Sequence, residues 1–297
     1  MKILIAYDGS SSSDLIFRDL QRAGMPEEVE AQIVSVAAEW FPAPGSFAMV
    51  EVQYFNPKSV WQEAHKWAEE ATQRLRKIFP KWNISEKVVY GSAARVLIEE
   101  ADVFHPDLLV LGARGHSGIG KLLLGSVSQK VLRSAHCSVR VSRDHLERPD
   151  NANNNIRIVV GVDGSDGASE AVKAILARNW PSGTEVRTVT ADLPEAEHMP
   201  APIAEWIHEE RARVNSQVES SLAKLDAKGL KTSSVLKHAE AKDLLCEEAE
   251  TWKADVVFVG AKQMTKMDRF LLGSVSASVS ERAHCSVEVV RPKNFAT

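Results

Sequence analysis

The stretch that decides the fold is Leu-Leu-Gly-Ser-Val-Ser at residues 123–128, because the same six residues return at 271–276. Shortly after each copy comes Ala-His-Cys-Ser-Val, first at 135–139 and again at 283–287. Both pairs are 148 positions apart. A period of that length indicates two whole domains rather than a solenoid of short repeats.

The start of each half repeats as well. Ile-Ala-Tyr-Asp-Gly-Ser at 5–10 is matched by Val-Gly-Val-Asp-Gly-Ser at 160–165. Between the halves runs a polar segment rich in asparagine, with little to bury. We therefore predict a first domain over 1–147, a linker over 148–155 and a second domain over 156–297.

Within each half, strand-like apolar runs alternate with amphipathic helical patterns. The predicted fold class is α/β, with two similar doubly wound, five-stranded parallel sheets. Ligands of such sheets lie outside the carboxyl ends of the strands. The first-half strands are predicted at 2–7, 31–38, 84–90, 107–111 and 138–142, with helices at 11–23, 58–79, 93–104 and 126–134. The second-half strands are predicted near Ile156, Glu185, Thr232, Asp255 and Ser286.

A glycine-rich loop joins the fourth predicted strand of the first half to the last helix, over 112–125. Glycines let successive backbone amides approach an anion, and a helix N-terminus adds free N–H groups and partial positive charge. Ser126 opens the helix, and Gln129 three residues later predicts a capping box. This loop is therefore predicted to bind a polyphosphate.

The same loop contains a false P-loop. Gly115, four residues, Gly120 and Lys121 fit that pattern, but Leu122 stands where a Ser or Thr must hold magnesium. The helix also begins several residues too late. We reject this interpretation.

The spacing Gly-x-x-Gly, nine residues, Gly-Ser resembles the ATP-binding motif of the universal stress protein family, as does the strand that ends in Asp-Gly-Ser. The resemblance covers both halves. The resemblance implies a tandem form of an adenine-nucleotide α-hydrolase-like fold. It also implies that these residues bind ATP, with or without Mg. The phosphates would contact Gly112, Arg114, Gly115, Gly125, Ser126, Val127 and Ser128; Asp8 would hold the ribose; Ala6, Tyr7 and Val36 would lie near the adenine.

The second half departs from this motif. Gln263 stands where the first half has Gly115, and the loop over 264–272 contains no glycine. A side chain at that position would cost about 1 kcal/mol if a positive φ were needed, and it would crowd the phosphates. The sequence predicts a weak or empty second site, whose remaining residues are Asp163, Gly260, Gly273 and Ser274.

Composition limits the remaining function classes. A net charge of −4 and the lack of a basic run argue against a nucleic-acid partner. The apolar runs are strand-sized, which argues against a membrane span or a signal-peptide core. Three cysteines without CxxC spacing argue against a disulfide scaffold or a zinc site, and fit a reducing cytoplasm.

Neither Cys-His pair of the repeat is expected to be catalytic, because neighbours in an extended segment point to opposite faces. Trp61, Trp67 and Trp206 are expected to be core or contact residues of long helices. His116, in the glycine-rich loop, is a further candidate phosphate contact.

The leading functional hypothesis is an ATP-binding regulatory protein of the stress response that is not a dedicated enzyme. Two alternatives remain open: slow ATP hydrolysis, and a nucleotide-independent scaffold or binder of apolar ligands that uses the aromatic loop at 41–55. An ATP-using ligase or hydrolase is disfavoured, since Asp8-Gly9-Ser10-Ser11 lacks the glycine pair of that class.

The last strand of each half would lie at a sheet edge, which proteins usually cover. We predict that 138–142 and 286–290 pair antiparallel across a pseudo-two-fold, with Val139, Val141, Val287 and Val289 at the seam. The chain would then be an intramolecular pseudo-dimer. A homodimer of whole chains and an unidentified protein partner stay open.

Overall fold

The computed structural model describes residues 1–38, 56–115, 124–144, 155–197, 199–263 and 270–292. The aromatic loop at 41–55, His116 and nearly all of the linker lie outside these residues. The described strands are β1 (Lys2–Ala6), β2 (Glu30–Ala38), β3 (Asn83–Gly91), β4 (Leu108–Gly112), β5 (Ser138–Ser142), β6 (Arg157–Gly161), β7 (Glu185–Ala191), β8 (Lys231–Lys237), β9 (Val256–Gly260), β10 (Lys262–Gln263), β11 (Phe270–Leu271) and β12 (Ser286–Val290).

Eight helices connect these strands in the described part of the chain. They are α1 (Ser11–Gln21), α2 (Pro57–Ile78), α3 (Ala93–Phe104), α4 (Ser126–Ser134), α5 (Asp166–Leu176), α6 (Ala201–Ala227), α7 (Ala241–Thr251) and α8 (Ser274–Arg282). None of them is both long and apolar enough to cross a membrane.

Ten of the strands form one sheet, in the order β3-β2-β1-β4-β5-β12-β9-β6-β7-β8. Pairing is parallel within each half. The predicted class of two doubly wound, five-stranded parallel sheets is confirmed. In each half the chain reverses its direction of travel beside the first strand, between β1 and β4 and between β6 and β9. A ligand site of this fold class belongs at such a switch point.

The two halves meet through their last strands. β5 and β12 pair antiparallel, with Val141 opposite Val287, Arg140 opposite Glu288 and Val139 opposite Val289. Since Arg140 and Glu288 are equivalent positions of the repeat, the pseudo-two-fold passes between them. The predicted antiparallel seam is confirmed.

The two faces of the sheet differ at this seam. On one face a single apolar core runs across both halves and contains the four seam valines. On the other face each half has its own apolar core, one including Ile5 and the other Phe258. Alternation along β5 and β12 places Arg140 and Glu288 on that second face, between the two cores.

Two arginines cross the seam symmetrically. Arg143 follows β5 and donates to the carbonyl of Ser280 in the last turn of α8. Arg291 follows β12 and donates to the carbonyl of Leu132 in the last turn of α4. A cation at a helix C-terminus satisfies free carbonyls and complements the helix dipole. The last helix of each half is therefore capped by the other half.

One local prediction is wrong, and one short element was missed. The N-cap of α4 is Gly125 rather than Ser126, and no side chain caps that helix, so the capping box of Ser126 and Gln129 does not form. Gln129 instead donates to the carbonyl of Leu124, at 3.4 Å. The short hairpin of β10 and β11 in the second half was not predicted.

Candidate functional site

A cleft of about 440 Å³ opens at the switch point of the first half, where β1 and β4 end. This volume lies within the range of small-molecule sites. All eleven residues that the sequence predicts for this half line it: Ala6, Tyr7, Asp8, Val36, Gly112, Arg114, Gly115, Gly125, Ser126, Val127 and Ser128. The structure thus brings the whole candidate set to one place.

One wall of the cleft is apolar. Its side chains come from the ends of β2 and β4 and from α3, and several of them belong to the core that runs under the sheet. Because the core fixes these side chains from behind, the wall is rigid. It is formed by Val34, Val36, Leu97, Leu111 and Leu124.

The two carboxylate oxygens of Asp8 face different groups. Oδ1 accepts hydrogen bonds from the Ser10 amide at 3.0 Å and from the Ser10 hydroxyl at 2.6 Å. This is the Asp-Gly turn that residue type alone suggests, with Gly9 at φ +72°. Oδ2 lies toward Gly115, where an added Cβ would come within 2.8 Å of it. One oxygen therefore holds the turn while the other faces the loop.

The glycines of the motif are needed for space and not for φ. A Cβ on Gly112 would meet the carbonyl oxygen of Ser12 at 2.7 Å, and one on Gly115 would meet Asp8. Neither of them has a positive φ. The condition set for φ strain at this position of the motif, a positive φ, is therefore not met at Gly115. The cost arises from the close approach of the loop to Asp8.

The N-terminus of α4 faces the cleft with Ser126, Val127 and Ser128 in its first turn. Because the N-cap is a glycine, no side chain takes up the first amides of this helix. The hydroxyl of Ser128 is buried and donates to the carbonyl of Gly112 at 2.9 Å. The Ser128 hydroxyl therefore donates to the backbone at the end of β4 and does not donate into the cleft.

Arg114 and Tyr7 contribute in different ways. The Arg114 amide donates to the Ser12 hydroxyl at 3.0 Å, which fixes the start of the loop against α1. The Tyr7 ring packs on Phe17, and its hydroxyl donates to Asp14 at 2.6 Å. Burial and this bond raise the pKa of Tyr7, so the hydroxyl stays protonated. The polar group of Tyr7 thus serves α1 rather than the cleft.

Sequence reasoning missed part of the lining, above all Trp67, which it assigned to core or contact packing. Trp67 lies on α2, and its indole covers Gly9 so closely that a Cβ there would meet it at 2.3 Å. The available signal was its place beside the buried alanines Ala64, Ala68 and Ala71 on one face of α2. The other missed residues are Ser13, Val34, Val60, Ala93, Leu97, Leu111 and Leu124. By contrast Trp61 and Trp206 are exposed.

The equivalent cavity of the second half is about 90 Å³. Of the four residues predicted for a weaker second site, Asp163 and Gly260 line it, whereas Gly273 and Ser274 are not among its described lining residues. The apolar end of the first cleft has its counterpart here, with Val189 and Leu245 in place of Val34 and Leu97. At the end that would hold an anion, Gly260, Val275 and Ser276 correspond to Gly112, Val127 and Ser128, but the equivalents of the other first-half residues are not among the described lining residues.

Two features account for this difference. The loop after β9 continues as β10, which pairs with β11 through Lys262–Leu271 and Gln263–Phe270. Over the turn at Gly164 lies the guanidinium of Arg213, which donates to the Gly164 carbonyl. The second half therefore has a short ladder after its fourth strand, and it has Arg213 over the turn where the first half has Trp67.

The Cys-His pairs are not dyads. His136 is exposed, with Nδ1 at 3.2 Å from Asp102, whereas burial raises the pKa of Cys137 to about 11. In the second half burial raises the pKa of Cys285 to about 12. Thiols of this kind are weak nucleophiles near neutral pH. Among the described residues, no group of three or more His, Cys, Asp or Glu side chains could hold a metal ion.

These features define a class: a tandem α/β protein with a ligand cleft at the switch point of its first sheet. The model of the universal stress protein family matches residues 1–143 and again 155–291. The chain belongs to the universal stress protein family, in its tandem form.

Relatives that carry the family name support the assignment. A universal stress protein of Mycolicibacterium smegmatis is 24% identical over an alignment of 302 positions, which covers 98% of this chain and 97% of that one. One from Mycobacterium tuberculosis is 26% identical, over 97% and 96% of the two chains. A shorter one from Methanocaldococcus jannaschii is 26% identical over 47% of this chain and 80% of its own length.

Solved structures show the same fold. The crystal structure of a universal stress protein from Archaeoglobus fulgidus matches 98% of both chains with a TM-score of 0.65 at 18% identity. A putative universal stress protein from Pseudomonas aeruginosa matches 99% of this chain and 94% of its own with a TM-score of 0.63 at 15% identity.

Proposed function

We propose that the first half binds ATP in the 440 Å³ cleft, and that nucleotide occupancy regulates the protein in a stress response. The observation that carries the proposal is the junction of three surfaces in one cleft. An apolar wall, a carboxylate oxygen and an uncapped helix N-terminus lie there side by side.

The apolar wall suits a purine base. Val34, Val36 and Leu97 offer apolar surface on which the flat face of the base can pack. The ribose would lie beside Asp8, whose Oδ2 could accept hydrogen bonds from its hydroxyls. A hydrogen bond to a charged group contributes about 1.5–3 kcal/mol.

The polyphosphate would lie between the loop that starts at Gly112 and the first turn of α4. Free amides and the partial positive charge of the helix stabilise an anion there. Arg114 lines the same end of the cleft and adds a full positive charge. Magnesium would enter with the phosphates, since the described residues offer no cluster of ligands for it.

The role is regulatory in this proposal because the described lining holds no nucleophile with an adjacent general base. Ser126 and Ser128 have no histidine beside them among the lining residues. A ligand that binds only the folded state stabilises it by an amount that rises with the logarithm of the free ligand concentration above the dissociation constant. Nucleotide in the cleft would therefore stabilise the folded first half when nucleotide is abundant.

The test has two parts. Purified protein is denatured and any released nucleotide is identified by mass spectrometry; separately, the protein is titrated with Mg-ATP by calorimetry. We expect adenine nucleotide in the first part and about one tight site per chain in the second.

Three outcomes would contradict the proposal. No nucleotide and no heat with ATP, ADP or AMP would favour a nucleotide-independent scaffold or a binder of apolar ligands. Two equal sites would contradict the assignment to the first half. Multiple turnovers of phosphate release would replace regulation by slow ATP hydrolysis.

A further inference from the structure

Four buried charges cross the seam in alternating order: Asp19, Arg140, Glu288 and Arg178. Arg140 makes a bidentate pair with Asp19, at 2.7 and 2.6 Å, and reaches Glu288 across the seam at 3.1 Å. Arg178 closes the row on the other side of Glu288. The four side chains are 1–4% exposed.

Each half supplies one neutral pair of this row. The first half supplies Asp19 and Arg140, and the second supplies Glu288 and Arg178. The pairs are not symmetric, since the position equivalent to Arg140 carries the opposite charge, Glu288. Some contacts of the seam are symmetric, such as the two serine hydroxyls that receive the amides of Arg143 and Arg291. Others are not, such as the ion pair of Arg22 with Asp255, which also forms only between unlike halves.

Self-pairing of either half would break the alternation. If two first halves joined about the same axis, Arg140 of one would face Arg140 of the other. The neighbour that each Arg140 gains would then carry the same charge. Two second halves would place Glu288 opposite Glu288. Like charges facing each other in a dry interface strongly disfavour association.

Arg140 remains charged, so the central position of the first half does not escape this conflict by losing its proton. Burial lowers the pKa of Arg140, but Asp19 and Glu288 raise it more, and the net direction is up. Buried ion pairs often add little stability compared with well-packed apolar side chains. Stability alone therefore does not explain why the seam contains buried charges beside its valines.

We propose that the seam is a charge-coded interface in which the β5 edge accepts a strand with a central carboxylate and the β12 edge accepts one with a central arginine. The partner that fits each edge is therefore the other half of this chain, and not a second copy of the same half. This proposal is independent of the nucleotide site.

The test uses the full chain with a protease site inserted in the linker at 148–152. The protein is purified, cleaved between its halves, unfolded in urea and refolded without separation of the fragments. Native mass spectrometry then counts mixed and homotypic pairs. Unbiased pairing would give first-first, first-second and second-second pairs as one to two to one, whereas we expect homotypic pairs below roughly one in twenty.

Matched variants remove the charge and retain the shape. In Glu288→Gln with Arg178→Met, second halves no longer repel each other and no buried charge of that half is left unpaired, so we expect second-second pairs to appear. In Asp19→Asn with Arg140→Met, first-first pairs should appear as well. Glu100→Gln is the control, since it breaks the ion pair of a largely buried carboxylate with Lys87, far from the seam, and should leave the mixture unchanged.

Random pairing in the unmodified sequence would overturn the proposal, and so would a mixture that none of the seam variants alters. If a variant fails to refold, the count is made without urea. Cleaved protein labelled with ¹⁵N is then mixed with unlabelled cleaved protein, and the pairs formed by native exchange are identified by mass.

Discussion

The two halves build their switch points from equivalent residues, yet one cleft measures about 440 Å³ and the other about 90 Å³. The residues common to both have structural contacts. Asp163 accepts from the Ser165 amide and hydroxyl at the distances that Asp8 has to Ser10. Ser276 donates to the Gly260 carbonyl at 2.8 Å, as Ser128 does to Gly112.

The residues that differ between the two halves line the first cleft. Gly115 and Gln263 are equivalent, and so are Arg114 and Lys262; Trp67 over the first turn is replaced by Arg213 over the second. The comparison separates two kinds of motif residue. Those that hold the strand-to-helix turns occur in both halves, and those that leave room for a ligand occur in one.

The largest effect is expected where the two loops differ most. Gly115→Gln should lower the affinity for Mg-ATP at least about a hundredfold, or about 2.7 kcal/mol, because its Cβ alone would lie 2.8 Å from Asp8 Oδ2. Calorimetry measures the loss. The matched change Gln263→Gly should create no tight site, since Arg213 and the β10–β11 ladder remain; a new site of equal affinity would break the comparison.

A smaller effect is expected from the two equivalent aspartates. Asp8→Asn keeps an oxygen for the Ser10 turn but removes the charged acceptor that faces the loop. ATP and AMP should both bind about 10- to 100-fold more weakly, the range of one lost charged hydrogen bond. Asp163→Asn should leave both affinities unchanged. Equal effects of the two variants would mean that Asp8 acts through the turn alone.

The smallest effect on binding is expected from the serines that the halves share. Ser128→Ala removes the hydroxyl donor from the buried carbonyl of Gly112, and Ser276→Ala removes it from the part-buried carbonyl of Gly260, so each should lower the free energy of unfolding by about 1–3 kcal/mol. Chemical denaturation measures this, and the two losses should agree. Affinity for ATP should change less than about threefold; a selective tenfold loss in Ser128→Ala would assign its hydroxyl to phosphate.

Local signals predicted much of the fold. The bounds of α3, α4 and β5 match the prediction at both ends, since each is delimited by a nearby glycine, proline or serine. The cleft was predictable because the ends of β1 and β4 must meet at a switch point, which brings Asp8 to Gly112 and Gly115. Pairing of the last strands was predictable from the need to cover apolar edges.

Other features depend on contacts between distant residues, for which one sequence contains no signal. Arg140 meets Asp19 over 121 positions and Glu288 over 148. Trp67 looks like a core residue of α2 until its neighbour is known to be Gly9. The cap of α4 was missed because Ser126 satisfies the pattern of an N-cap, while the backbone places Gly125 there.

The pairing of β5 with β12 also determines where this sheet can grow. It removes both inner edges, so the outermost described strands are β3 and β8. β8 begins and ends with exposed lysines, Lys231 and Lys237, and β3 exposes Glu86 and Lys87 near its middle. Charged side chains on an edge strand oppose the addition of another strand. A sheet of ten strands with uncharged edges would be a template for aggregation. Here the charged side chains at both outer edges oppose its extension by further strands.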